Sequence, residues 1–209
     1  MLVKTVMMKS SVLTTVTSDT KLGEALKIMN DNNMASMPVI DGNEFKGAIE
    51  KSAIYEKYFE CDNCNKEKFL VDNIVSDLIK TSIPVIGAYE EIENAVALLE
   101  KMNVSFVAVI NKETNKFLGI LTHKIVFKQF TELFGLNQGH RISVIAFDVP
   151  GQLSKLSNIV TENGGNIISL VVLNPESYLD NKEIIIRLNT DNITQTVEAI
   201  KSAGFKIND

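Results

Sequence analysis

The chain has 209 residues, 45% of them apolar, and a formal net charge of −5. That length holds one large domain or two to three small ones, and the apolar share is enough to build cores. The acidic balance argues against a nucleic-acid binder, which needs a basic surplus, and no apolar run reaches the ~18 residues that cross a bilayer.

The opening stretch, Met-Leu-Val-Lys-Thr-Val-Met-Met-Lys, lacks the continuous apolar segment and small-residue cleavage site of a secretion signal, so a cytoplasmic location is expected. Leu22, Ala25, Leu26 and Met29 recur at i, i+3, i+4, i+7 and predict a helix with one buried face. A strand over Ser36–Ile40, a polar turn over Asp41–Glu44, a second strand ending at Gly47-Ala-Ile49 and a helix over 51–60 follow. Cys61-Asp-Asn-Cys64 then supplies two thiols, where structural zinc takes four ligands. The expectation is a polar loop with two incidental thiols. A metal site completed by a second copy of the chain, or a thiol module, stands as the alternative.

From residue 72 the same plan returns. Ile92, Ala95, Val96, Leu99 and Met102 form a helical stripe, and Phe106–Ile110 is a strand. Asn111–Lys116 is a polar turn, Gly119-Ile-Leu121 ends a second strand, and 123–134 is a helix. Val3–Met7 aligns on Val75–Ile79 at an offset of 72, Ala25–Asp41 on Ala95–Asn111 at 70, and Phe45-Lys-Gly47 on Phe117-Leu-Gly119 at 72. One unit of this size buries little surface alone, so two are expected to pack as one body. Met7, Met29, Met34, Met37 and Met102 are assigned to the repeat cores.

Gly135-Leu-Asn-Gln-Gly-His140 reads as a hinge. Beyond it, the order is strand 141–147, helix 151–163, strand 167–173, loop 174–181, strand 182–190, a helix capped by Asn192 and a closing strand 205–207. The turn Asp148-Val149-Pro150-Gly151-Gln152-Leu153 joins the first strand to the first helix. N–H groups near Gly151 to Leu153 suit a carboxylate and Asp148 suits an ammonium. Without a ligand, Asp148 would simply cap the helix.

Residues 1–135 resemble the tandem cystathionine-β-synthase (CBS) domain pair, through Met37-Pro38-Val39-Ile40-Asp41, Gly47-Ala48-Ile49 and Gly119-Ile120-Leu121-Thr122. The resemblance implies an α/β module of two βαββα repeats, 1–71 and 72–136, that binds adenosine-containing nucleotides. The positions it implies are Ser36, Met37, Pro38, Lys51, Phe106, Val107, Thr122, His123 and Lys124. The family pattern is Gly-apolar-apolar-Thr/Ser-x-x-Asp, with the hydroxyl toward phosphate and the Asp toward ribose. Here Ile125 and Ala53 stand where Asp belongs, and Glu50, which would repel a phosphate, replaces the first hydroxyl. Loss of a hydrogen bond to a charged group costs about 1.5–3 kcal/mol, so nucleotide binding is expected to be weak, through Thr122 if anywhere.

Residues 139–209 resemble an ACT domain, through Asp148-x-Pro-Gly-x-Leu and Gly164-Gly165-Asn166-Ile167. That implies a ferredoxin-like βαββαβ α+β fold and an amino-acid site at residues 148–153, completed across a dimer by Asn166 and Ile167. The whole order resembles the acetoin-utilisation protein B-like family. It implies a non-catalytic sensor that needs no cofactor and takes an adenine nucleotide and an amino acid as effectors. The expected partners are a second copy of the chain and an unidentified regulated protein, with neither nucleic acid nor membrane. A ligand-free dimerisation adaptor is the rival. Phosphate-loop, dinucleotide, nucleophile-elbow and His-Glu-x-x-His motifs are all absent, and His123 and His140 have no local catalytic partner.

Overall fold

A computed structural model of the chain describes residues 1–62, 64–174 and 181–208. They divide into two compact units, Met1–Phe127 and Lys128–Asp209.

The first unit opens with α1 (Val3–Val6) and β1 (Met8–Lys9), then a single 3-10 turn at Ser10–Val12. The first repeat continues with α2 (Leu22–Asp31), β2 (Ser36–Asp41), β3 (Glu44–Glu50) and α3 (Lys51–Phe59). A connecting helix, α4 (Lys66–Asp72), and a 3-10 turn at Val75–Asp77 lead to the second repeat. That repeat comprises β4 (Val85–Gly87), α5 (Ile92–Met102), β5 (Phe106–Ile110), β6 (Phe117–Thr122) and α6 (His123–Leu133), whose last turns fall in the second unit.

The helices α2 and α5 form where the apolar spacing predicts them, whereas α4 falls in a stretch expected to be a polar loop. Leu22, Ala25 and Met29 of α2 are fully buried against Met37, Val39 and Ile49, and Ile92, Ala95 and Leu99 repeat the pattern in α5. Met102 departs from expectation: it is 42% exposed, because the helical stripe runs out one turn earlier, at Leu99.

The duplication interlocks. β1 pairs antiparallel with β6 of the second repeat, Met8 opposite Ile120, and Lys80 bridges Ala48 of β3 in the first repeat. One turn earlier, Val3 N–H donates to the Glu90 carbonyl and Val75 N–H to the Thr20 carbonyl, at 2.9 and 2.8 Å. Each repeat's leading segment therefore docks on the other repeat. Gly47 and Gly119 sit where those segments cross, with φ of 147° and 159°. A Cβ at Gly47 would overlap the Lys80 carbonyl oxygen, and one at Gly119 the Met8 carbonyl oxygen. The two glycines serve this close backbone approach. Where the hairpins meet, the Phe45 ring stacks on Phe117 at 5.5 Å, and Phe117 N–H donates to the Asn43 carbonyl.

The second unit contains β7 (His140–Phe147), α7 (Gln152–Glu162), β8 (Asn166–Leu173), β9 (Asn181–Asn189), α8 (Ile193–Ser202) and β10 (Lys206–Ile207). The sheet order β10-β7-β9-β8 is antiparallel throughout. Ile142 and Val144 of β7 with Ile184, Ile186 and Leu188 of β9 meet Leu156, Val160 and Ile200 of the helices in one core. This is the ferredoxin-like βαββαβ plan. The loop expected over 174–181 falls largely on 175–180, outside the described residues.

The join expected as a hinge is packed instead. Ser169 Oγ donates to the Phe134 carbonyl at 2.9 Å and Arg187 Nη1 to the Gln138 carbonyl at 3.3 Å. A Cβ on Gly135 would lie 2.8 Å from Ile168, and one on Gly139 would overlap the Leu188 carbonyl oxygen. These glycines are explained by close packing, which sequence punctuation alone does not distinguish from mobility.

Candidate functional site

Two places carry the residues singled out by sequence. In the first unit, strand register sorts them into two ends. Ser36 faces Glu50, Met37 faces Ile49 and Pro38 faces Ala48 in one hairpin. Phe106 faces Thr122 and Val107 faces Leu121 in the other. Met37, Pro38, Phe106 and Val107 are buried, so their side chains belong to the core. Lys51 is half-buried, whereas His123 and Lys124 are exposed.

The two ends differ in charge. Glu50 does not stand free to repel an anion: its carboxylate accepts from Lys80 Nζ at 3.0 Å. Lys80 comes from the segment that crosses onto the first repeat, a contact that only the three-dimensional interlock reveals. Ser36 Oγ, beside this pair in register, is buried and has no hydrogen-bond partner among the described residues. Unsatisfied buried hydroxyls are uncommon, and such an atom suits a site that a polar ligand completes. At the other end, Thr122 Oγ1 accepts from the Ile125 N–H at 3.3 Å and thereby helps to close the start of α6.

In the second unit, Asp148, Val149, Pro150, Gly151, Gln152 and Leu153 line one groove of about 600 Å³, together with Phe147, Ser154, Ala146, Val172, Lys182 and Ile184. Gly151, with φ of 90°, stands immediately before α7, and no side chain caps that helix. Asp148 is therefore not its cap. The first-turn N–H groups of an α-helix lack intrahelical partners and face the positive end of the dipole. Asp148 instead pairs with Lys182 Nζ at 2.8 Å. Lys182 lies opposite Ala146 in the β7–β9 ladder, which puts it on the groove side of the sheet. Sequence reading missed it because its partner lies 34 positions away. Ala146, Val172 and Ile184 form an apolar floor, and Val149 and Leu153 are exposed at the rim.

Asn166 and Ile167 are not brought to this groove. Asn166 pairs with Asn189, whereas the groove end of β8 is marked by Val172, which pairs with Ile184. Six residues of strand separate them, about 20 Å. Only another copy of the chain would present them here.

Cys61 and Cys64 are joined in a disulfide with a Cα–Cα distance of 5.6 Å, a correction to the expectation of incidental thiols. Among the described residues no group of three or more His, Cys, Asp or Glu is placed to hold a metal ion. Nor is any described helix long and apolar enough to cross a membrane.

A family model described as the CBS domain matches residues 3–60 and again 75–132, together more than half of the chain. The chain belongs to the CBS-domain family. A model described as the ACT domain matches residues 140–205 of this CBS protein. The uncharacterized protein MJ1232 of Methanocaldococcus jannaschii is 26% identical over 124 residues, 57% of this chain and 38% of that relative's length. The chain thus matches well under half of that relative. CbpB of Listeria monocytogenes, solved in complex with c-di-AMP, is 26% identical with a TM-score of 0.56, over 65% of this chain and 98% of its own. CBSX2, solved in complex with AMP, is 22% identical with a TM-score of 0.52, over 62% and 95%. CBS and ACT domains are typically regulatory, non-catalytic modules, and their presence supports a ligand-sensing role.

Proposed function

We propose that this CBS–ACT protein is a non-catalytic homodimer that senses small metabolites and acts on a regulated protein in the cytoplasm. An amino acid or related metabolite is assigned to the groove at residues 148–153, and an adenine nucleotide, held weakly, to the CBS pair. The order of domains favours placement among acetoin-utilisation protein B-like regulators, with repeats over 1–71 and 72–136 and the ACT domain over 139–209.

The groove before α7 carries the reading. It joins a carboxylate, an ammonium, a run of uncapped helix N–H groups and an apolar floor within about 600 Å³. An amino acid offers the matching set: ammonium to Asp148, carboxylate to Lys182 and the helix start, side chain to Val172 and Ile184. Binding replaces one internal ion pair with two to the ligand. For the CBS pair, support comes from the c-di-AMP complex of CbpB and from the unpartnered Ser36 hydroxyl. Ala53 and Ile125, in place of the ribose carboxylates, keep the affinity in the high-micromolar range or weaker. Homodimerisation is supported by Tyr55 and Phe59, which leave an apolar stripe exposed on α3, and by Phe127 at the position equivalent to Tyr55 in α6.

A thermal-shift screen with amino acids, AMP, ATP and c-di-AMP tests the assignment, because a ligand at 100 times its dissociation constant adds about 2.7 kcal/mol to stability. An amino-acid shift that disappears in Asp148→Asn is expected. No shift with any amino acid would leave the adaptor reading, and tight stoichiometric nucleotide binding by calorimetry would contradict the weak CBS site.

A further inference from the structure

We propose that Cys61 and Cys64 form a thiol–disulfide exchange site on the first repeat, and that its redox state sets the order of the connecting helix α4. The pair lies in the connection between α3, which ends at Phe59, and α4, whose cap is Asn65. Its Cα–Cα distance of 5.6 Å lies within the range that a disulfide spans. Both cysteines are half-exposed and line a groove of about 620 Å³ with Lys57, Asn65, Lys68 and Asp72. An incoming thiolate therefore has access to sulfur, the first requirement for exchange.

The pair is mechanically tied to the repeat core. Tyr58 Oη donates to the Cys64 carbonyl at 3.5 Å, and the Tyr58 ring meets Phe69 of α4 at 5.4 Å. Phe69 is buried in the core of the first repeat, and Leu70 of α4 packs against that core beside Gly23 of α2. The end of α4 is fixed again where Leu22 N–H donates to the Asn73 carbonyl at 3.1 Å. Lys80, a few residues further on, completes the ion pair with Glu50. A covalent bond at Cys64 thus fixes the start of the segment that supplies the cation of the first nucleotide cleft.

The exchange balances with a dithiol reductant. One reductant thiolate attacks a cysteine sulfur, the Cys61–Cys64 bond breaks, and the other cysteine leaves as a thiolate. The reductant's second thiol then attacks the mixed disulfide, forms the reductant's own disulfide and releases the remaining cysteine. Two electrons pass to the protein, and the two thiolates take up protons according to the pH. Oxidised glutathione drives the reverse reaction and leaves as two thiols.

The test uses the full chain. Alkylation with N-ethylmaleimide, read by intact mass, is expected to add nothing to the oxidised protein, two adducts after dithiothreitol, and nothing again after oxidised glutathione. Hydrogen exchange at Phe69–Asp72 is expected to run about fivefold faster in the reduced protein, and equally fast in Cys61→Ser. Two adducts that persist after oxidised glutathione would overturn the exchange site. So would half a zinc ion per chain in purified protein. Equal exchange in both states would overturn the coupling to α4.

Discussion

The two repeats share a backbone plan and differ in chemistry. Each has a leading segment docked on the other repeat, a glycine beneath the crossing, and a helix that follows its second strand. Around that plan the polar groups diverge. Glu50 in the first repeat is neutralised by Lys80, while Thr122 in the second offers a hydroxyl and Met8 takes the place of Lys80. The loop before α2 is tied to the end of β2 by Ser18 and Asp41, and the loop before α5 to the end of β5 by Glu90 and Lys112. The interlock constrains main chain and glycine at both crossings, and leaves the cleft side chains free to specialise. One backbone therefore holds an internal ion pair at one end and a hydroxyl at the other.

The largest effect is expected where the repeats are alike. Gly119→Ala and Gly47→Ala each force a methyl group into a carbonyl oxygen of the crossing segment. Overpacking and backbone strain at such a site cost about 3 kcal/mol or more. Urea unfolding should show both variants destabilised by similar amounts. A near-wild-type midpoint for either would mean that the crossing segment moves aside and that the interlock is soft.

This symmetry was readable in part. Apolar spacing located α2 and α5, and the offset between Val3–Met7 and Val75–Ile79 marked equivalent segments. It did not show that each segment pairs with the other repeat, because strand partners are set by tertiary packing and these strands span two residues or fewer. α4 was missed for a related reason: Phe69 is its one fully committed core residue, too few for a periodic pattern. Asp148–Leu153 were legible as one unit because they are contiguous, and the structure places all six on one groove. Lys182 and Lys80 were not, since each reaches its partner only through the fold.

Nucleotide affinity should separate the repeats next. Ile125→Asp restores a carboxylate three positions after Thr122, and a hydrogen bond from ribose to a charged group adds about 1.5–3 kcal/mol. AMP or c-di-AMP should then bind on the order of 10- to 100-fold tighter by calorimetry. Ala53→Asp should give much less, because Glu50 and Lys80 still occupy that end. Equal gains would show that the ion pair is no barrier. In the ACT groove, Lys182→Met removes one of several groups available to a carboxylate and should weaken amino-acid binding about tenfold, with the fold intact by circular dichroism.

The smallest effects distinguish the two loop ties. The backbone N–H of Ser18, and then its hydroxyl, hold the Asp41 carboxyl below its ordinary value. Lys112, and then the Gly87 N–H, lower that of Glu90. A carboxyl with a depressed folded value stabilises the protein above its unfolded value of about 4 and loses that contribution as pH falls through the folded value. Both ties should therefore fail on acidification below that point, and neither should change between pH 6 and 8. Salt tells them apart. The Glu90–Lys112 pair is partly exposed, so Lys112→Met should cost about 0.5 kcal/mol at low ionic strength and nearly nothing in 1 M salt. Ser18 is a neutral donor, so the effect of Ser18→Ala should persist in salt. If salt erased both effects alike, the Asp41 tie would be electrostatic steering by charges such as Lys46, and the contrast between the repeats would be one of degree.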